Sequence, residues 1–492
     1  MDEPFRFRQY QPRALEIIDT TLRDGQQTSL LHDHRKYFFT RADKEEITRA
    51  LIIYGVKFIE LFAPLVSPQE RDDWKALQAM RDGLITQKGY TFFLAHVRCH
   101  PRDVESAIAA GADGLNFYIG TSNESRASNH GNDLDAIIKK AATLFEEVRR
   151  NYPHLVLRFS GEDAFRTRED ELCQVYDAVA PYVDRLGTPD TVGVATPQSV
   201  ARRVRSLRER YPQIDLEGHF HDDRGFVLVN ALEAVKHGMR YLNTTLLGIA
   251  ERSGITSMTA LLFNLYSDRE FDKLEGYHLR GSYPINVLAA DKLRMLVPAK
   301  EPVSLTNRTH TAGVHQNAVL TDASTYEAHP LDLFGVSETE ILLGPLSGWN
   351  TIHYFLKEIR YFEIDEATAK DMAAVFKERV YQLAPDISPE QVLIDIAEKE
   401  FGLARLNLPK VAPPIVQRLD SSIGLPPTIA NGIQLKRAAE ISWWVTLLPR
   451  KHSHVPLVWR MRVRAKSSMR SPMWLCRTIT PRRSRASSAR SA

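Results

Sequence analysis

Residues 14–279 predict an α/β fold, a closed (β/α)8 TIM barrel of parallel strands, on three observations. Eight short apolar segments alternate with helix-periodic ones. The eight pairs fit into about 250 residues, the usual length of such a barrel. Polar, chemistry-bearing residues collect just after the apolar segments, where the loops that follow the strands build the active face. An open doubly wound sheet would carry a Gly-rich phosphate turn after its first strand, and the sequence has none.

Strands are expected at 14–22, 56–62, 90–97, 114–119, 155–160, 185–194, 214–220 and 241–247. The first helix, 40–54, has Thr40 as N-cap, Asp43 three residues on and Gly55 as its stop. Its apolar residues Ile47, Ala50, Leu51 and Tyr54 recur at helical spacing. The second opens at Ser67-Pro68 with Glu70 in the first turn. Between the last two strands, Leu228, Ala231, Leu232 and Val235 form one apolar face that stops at Gly238.

A chain of 492 residues with 43% hydrophobic content exceeds one ordinary domain. After an N-terminal arm (1–13) and the barrel, residues 280–405 read as a lid and a small, mostly helical subdomain. A linker helix is expected in 280–302, the lid in 306–326, and helices after 342 and in 366–381 and 388–401. Residues 406–492 are an extension. Its part from 435 holds 14 Lys/Arg against one acid and four of the six tryptophans, a composition expected to be disordered. The remaining 434 residues carry 50 bases and 60 acids, so the body is acidic and no nucleic-acid footprint is expected. No stretch of 18 apolar residues spans a membrane. Three scattered cysteines make no disulfide framework. A soluble protein of the reducing cytoplasm is expected; a mitochondrial setting is compatible, although no clear transit peptide precedes the barrel.

Within Glu217-Gly-His-Phe-His-Asp-Asp-Arg-Gly225, His219 and His221 are two apart on an extended segment, so both side chains face one side and can hold one ion. Asp24, after the first strand, is the carboxylate that could complete the set. Two histidines and one carboxylate leave positions open for substrate. The same set describes a non-haem iron oxygenase or a non-catalytic metal-binding protein. Taken singly, Arg158 could be a surface arginine, and Glu162-Asp163 a helix cap.

Five ordered motifs resemble those of the metal-dependent, acyl-CoA Claisen-condensing barrels, the family of isopropylmalate, citramalate and homocitrate synthases. They are Leu22-Arg23-Asp24-Gly-Gln-Gln27, Arg158-Phe-Ser160-Gly-Glu162-Asp163, Asp190-Thr191-Val-Gly-Val-Ala-Thr-Pro197, His219-Phe-His221 and Gly313-Val-His315. The second is most similar to homocitrate synthases. The resemblance implies Asp24, His219 and His221 as ligands of one divalent ion (magnesium, manganese or zinc). It implies Arg23 as the group that steadies the attacked carbonyl, and Gln27, His96, Arg158, Ser160 and Thr191 as the walls of a 2-oxo acid pocket. Glu162, His315 and Tyr326, the last eleven residues after His315, are implied as the acid–base set. Acetyl-CoA is implied as co-substrate, and a homodimer in which the His315 segment reaches the partner's active site. The expected product is homocitrate from 2-oxoglutarate, with 2-oxoisovalerate or pyruvate as the alternative acceptor. Asn116, expected in the same pocket, stands where homocitrate synthases usually carry Asp, which removes a carboxylate that could orient Arg158 and could shift the preferred 2-oxo acid.

Overall fold

The computed structural model describes residues 10, 12–88, 90–130, 133–384 and 387–406, and three strands of the extension. Eight strands close into a parallel barrel in chain order. They are β1 (Glu16–Asp19), β2 (Phe58–Phe62), β3 (Phe92–Arg98), β4 (Gly114–Gly120), β5 (Val156–Glu162), β6 (Arg185–Asp190), β7 (Asp215–Phe220) and β8 (Tyr241–Thr244). Closure is by β8 on β1, with Glu16 beside Tyr241 and Asp19 beside Thr244.

Three strands end earlier than their apolar runs suggest, and a side chain or a backbone turn ends each. Asp19 accepts hydrogen bonds from the Thr21 amide at 2.9 Å and the Thr21 hydroxyl at 3.0 Å, which folds the chain out of the ladder after β1. Asp190 does the same after β6, taking the Val194 and Ala195 amides at 2.9 and 3.0 Å. After β8 the chain leaves the extended region at Leu247, φ 58°. All three turns lie on the face where the loops after the strands gather.

The helix Arg41–Tyr54 starts in a reciprocal box, the Thr40 hydroxyl accepting from the Asp43 amide and the Asp43 carboxylate from the Thr40 amide. It ends at Gly55 with φ 105°, where a Cβ would stand 2.1 Å from the Gly276 carbonyl oxygen. The barrel interior changes character along its axis. Its N-terminal end is plugged by Ile18, Phe58, Phe92, Leu94, Val156 and Tyr241, with the Phe58 and Phe92 rings stacked at 5.1 Å. Arg185 lies above this plug, its guanidinium 4.7 Å from the Tyr241 ring centre. Beyond it the interior is charged.

A second compact unit comprises Arg308–Pro330 and, among the described residues, those from Ser337 onward. It holds helices Gly313–Thr321, Trp349–Tyr354, Glu366–Val380 and Pro389–Lys399. The last three, with the turn Phe355–Ile359, pack around Ile352, Leu356, Phe362, Met372, Phe376, Leu393 and Ile396. In the extension, Ile441–Leu447, Val458–Ala465 and Met473–Thr478 form an antiparallel sheet. The other residues of the stretch expected to be disordered, and most of the N-terminal arm, lie outside the described residues. Among the described residues no helix is long and apolar enough to cross a membrane.

Burial pushes the Asp19 carboxyl up to about 7, against the opposing pull of the Thr21 donors. The unfolded chain releases that proton near 3.8, so between these values the folded protein binds more protons and loses stability as pH rises. Asp19→Asn, which keeps one acceptor for Thr21, should flatten this loss, which is on the order of a few kcal/mol. Urea unfolding of both proteins across that pH range measures it; equal slopes would refute the assignment.

Candidate active site

The two histidines follow from strand geometry. His219 is the fifth residue of β7 and His221 lies just beyond it, so the rings emerge on one side with their Nε2 atoms 3.1 Å apart. Asp24 opens the short turn Asp24–Gln27 after β1 and brings Oδ2 to 3.3 Å from His219 Nε2. One ligand atom from each residue lies within 4.8 Å of the others.

The donor set suits a divalent cation. Burial, then the neighbouring His221, depresses His219 to about 3. Burial likewise lowers His221. Both rings are therefore neutral ligands at physiological pH. Burial alone would raise Asp24, but the adjacent Arg23 guanidinium brings it below the ordinary value, so the carboxylate is ionised. Asp24 Oδ2 is buried with no hydrogen bond beyond its ion-pair contact to Arg23 Nη1 at 3.1 Å, and the Nε2 atoms of two neutral rings crowd to 3.1 Å. A shared cation relieves both conditions.

These ligands border a cleft of about 630 Å³ at the mouth of the barrel, a size that suits a small-molecule site. Ten of the expected residues line it: Arg23, Asp24, Gln27, His96, Arg158, Ser160, Glu162, Thr191, His219 and His221. Gly187 makes room for two of them, since a Cβ there would meet Ser160 Oγ at 2.8 Å and Arg158 Cδ at 3.1 Å. Thr191 Oγ accepts from the Asp163 amide at 2.9 Å, which fixes the loop after β5 against that after β6. Burial, then Asp163, raises the Glu162 carboxyl, moving it toward a group that can hold and release a proton. His96 stacks on Tyr118 with ring centres 4.4 Å apart.

Two carboxylates beneath the cleft were not anticipated from motifs. Glu60 of β2 accepts from Arg23 Nε at 2.6 Å and lies 3.6 Å from His96 Nδ1. Burial opposes its ionisation, but Arg23, His96 and Arg158 hold it well below the ordinary value. Glu217 of β7 accepts from Arg158 Nε at 2.8 Å and Nη2 at 2.6 Å. Asn116, expected in the pocket, is not among the residues lining the cleft; it is buried, donating to Glu60 and lying 3.4 Å from Arg185 Nη2. Arg158 has its orienting carboxylate in Glu217.

His315 and Tyr326 belong to the second unit, on the helix Gly313–Thr321 and the turn Ala323–Tyr326. Their ring centres are 4.2 Å apart, so the structure brings this expected pair together.

Comparison with known proteins agrees with this geometry. Residues 14–280 match the HMGL-like family model, and residues 303–382 the homocitrate synthase post-HMGL domain-like model. The mitochondrial homocitrate synthase of Schizosaccharomyces pombe is 35% identical over 364 residues, 73% of this chain and 83% of that protein. The cytosolic homocitrate synthase isozyme of Saccharomyces cerevisiae is 35% identical over 361 residues, 72% of this chain and 81% of that protein. A 2-isopropylmalate synthase of Microcystis aeruginosa is 31% identical over 400 residues, 75% and 70% of the two chains. With its barrel matched along its length and such relatives covered for most of theirs, the chain belongs to the HMGL-like family, in the branch of the homocitrate synthases.

Proposed function

We propose that the protein is a homocitrate synthase, an acyltransferase that condenses acetyl-CoA with 2-oxoglutarate and releases homocitrate and CoA. The observation that carries the reading is the seating of Arg158 on the cleft wall that also holds the Asp24–His219–His221 set. One site receives the 2-oxo acid end of the substrate, and the arginine offers a fixed cation to a second carboxylate.

A divalent ion (magnesium, manganese or zinc) held by Asp24, His219 and His221 supplies Lewis-acid polarisation of the keto group when bound. Arg23, pinned between Glu60 and Asp24, presents its guanidinium where charge develops on the keto oxygen. Gln27, His96, Ser160 and Thr191 orient the acceptor. The acetyl methyl must lose a proton, and His315, its ring beside that of Tyr326, is a base of suitable chemistry. The methyl carbon, now carrying the electron pair left by that proton, bonds to the keto carbon while the C=O π pair moves to oxygen, which takes up a proton to become the tertiary alcohol. Water cleaves the thioester, giving the free carboxylate and the CoA thiol, and Glu162 with its raised carboxyl suits the proton transfers of that step.

The reading includes a homodimer in which the His315 segment serves the partner's active site, and a place in lysine-directed amino-acid biosynthesis in the cytoplasm. Relatives named as mitochondrial and as cytosolic both exist. No nucleic acid or membrane partner enters it.

Thiol release from acetyl-CoA with magnesium or manganese, against 2-oxoglutarate, 2-oxoisovalerate, pyruvate, oxaloacetate and glyoxylate, tests the assignment. Turnover should be highest with 2-oxoglutarate. Preference for 2-oxoisovalerate or pyruvate would move the enzyme to the isopropylmalate or citramalate synthases, and no release with any acceptor would end the synthase reading. His219→Ala should remove turnover with all acceptors. Arg158→Ala should lower kcat/KM for 2-oxoglutarate by about 100-fold, consistent with the roughly 2–5 kcal/mol of a truncated buried charge pair, and should spare monocarboxylic acceptors more.

A further inference from the structure

We propose that Asn243 is a positioning residue that joins the Nδ1 edge of His219, opposite the Nε2 that faces the metal site, to the carboxylate seating Arg158, so that one amide sets both halves of the substrate site. This rests on the metal-dependent reading above. Asn243 lies on β8, 1% exposed, and reaches the cleft wall. Pairing of β7 with β8 puts Gly218 beside Leu242, so the next step along both strands brings Asn243 alongside His219.

Its amide makes three bonds. Oδ1 lies 3.1 Å from His219 Nδ1 and 3.3 Å from Arg158 Nη2. Nδ2 donates to Glu217 Oε1 at 3.0 Å. Only one orientation satisfies all three, because a flipped amide would set its NH2 against the guanidinium and its oxygen against the carboxylate. Oδ1 is therefore the acceptor, and the His219 proton resides on Nδ1. That leaves the Nε2 lone pair directed at Asp24 Oδ2 and His221 Nε2, 3.3 and 3.1 Å away. A ligand histidine whose far nitrogen is held this way keeps its tautomer and ring angle.

The residue type is constrained from both sides. Leucine would leave His219 Nδ1 without its acceptor and Glu217 without the amide donor. Aspartate would keep the acceptor for His219 but put a second carboxylate oxygen 3.0 Å from Glu217, where Nδ2 now donates. Substitution therefore separates two effects: loss of the acceptor disturbs the ion, and loss of the donor disturbs the Arg158 end.

The test uses full-length protein stripped of metal and titrated with manganese, followed by electron paramagnetic resonance of the free ion, beside steady-state kinetics with 2-oxoglutarate. N243A should bind manganese about 10–100-fold more weakly than wild type, the usual cost of losing such a partner, measured under conditions where its urea transition shows it fully folded. N243D should bind manganese as wild type does and show a raised KM for 2-oxoglutarate. N243A with wild-type manganese affinity, or N243D weakened as much as N243A, overturns the proposal. Should N243A fail to fold, N243D decides alone: retained affinity with raised KM supports it and lost affinity refutes it. Wild-type protein that binds no manganese overturns the metal reading itself, and this inference with it.

Discussion

Glu60 and Glu217 are ionic groups inside a barrel whose lower half is aromatic and aliphatic, and each is 0–1% exposed. A lone buried carboxylate is costly, so each must be met by cations and donors at close range. Glu60 meets Arg23 and Asn116, with Arg158 at 3.9 Å. Glu217 meets Arg158 and Asn243, with Arg185 at 3.4 Å. Such pairs contribute little net stability relative to an apolar core, but losing one partner costs about 3–5 kcal/mol. Their effect is to fix the angle at which two guanidinium groups enter the cleft.

The rest of the site depends on that fixation. Arg23 bridges from Glu60 to Asp24, and Asn243 bridges from Glu217 to His219, so each buried carboxylate is one residue removed from a candidate metal ligand. Cations that carry their own counter-charges need little reorganisation when an anionic substrate arrives. The apolar plug of Phe58, Phe92 and Tyr241 beneath them excludes water from the other end. The loops above can then vary in sequence while the charged floor stays in place.

The barrel was legible because strand and helix periods alternate, and because caps such as Thr40 and Gly55 are local signals. Strand ends were less legible. Whether Asp19 or Asp190 turns back to bond its own loop depends on backbone geometry that a run of apolar residues does not reveal. At the site, residues after strands stood out as motifs. Glu60, Glu217 and Asn243 did not, since they lie within Phe58-Ile-Glu60-Leu-Phe62, Asp215-Leu-Glu217-Gly and Tyr241-Leu-Asn243-Thr. The available signal was an ionic or amide residue inside a buried strand, which demands a partner. The surroundings of position 116 were hidden for the same reason: its partner comes from β2, 56 residues away in sequence, and no local pattern announces it.

The central claim is that one ion and one oxo acid share the face formed by Asp24, His219, His221 and Arg158. A crystal structure of the protein with manganese and 2-oxoglutarate tests it most directly. The account predicts a single anomalous peak at bonding distance from Asp24 Oδ2 and from both Nε2 atoms, with the distal carboxylate of 2-oxoglutarate against the Arg158 guanidinium. A peak on other residues, or 2-oxoglutarate bound away from Arg158, would contradict it.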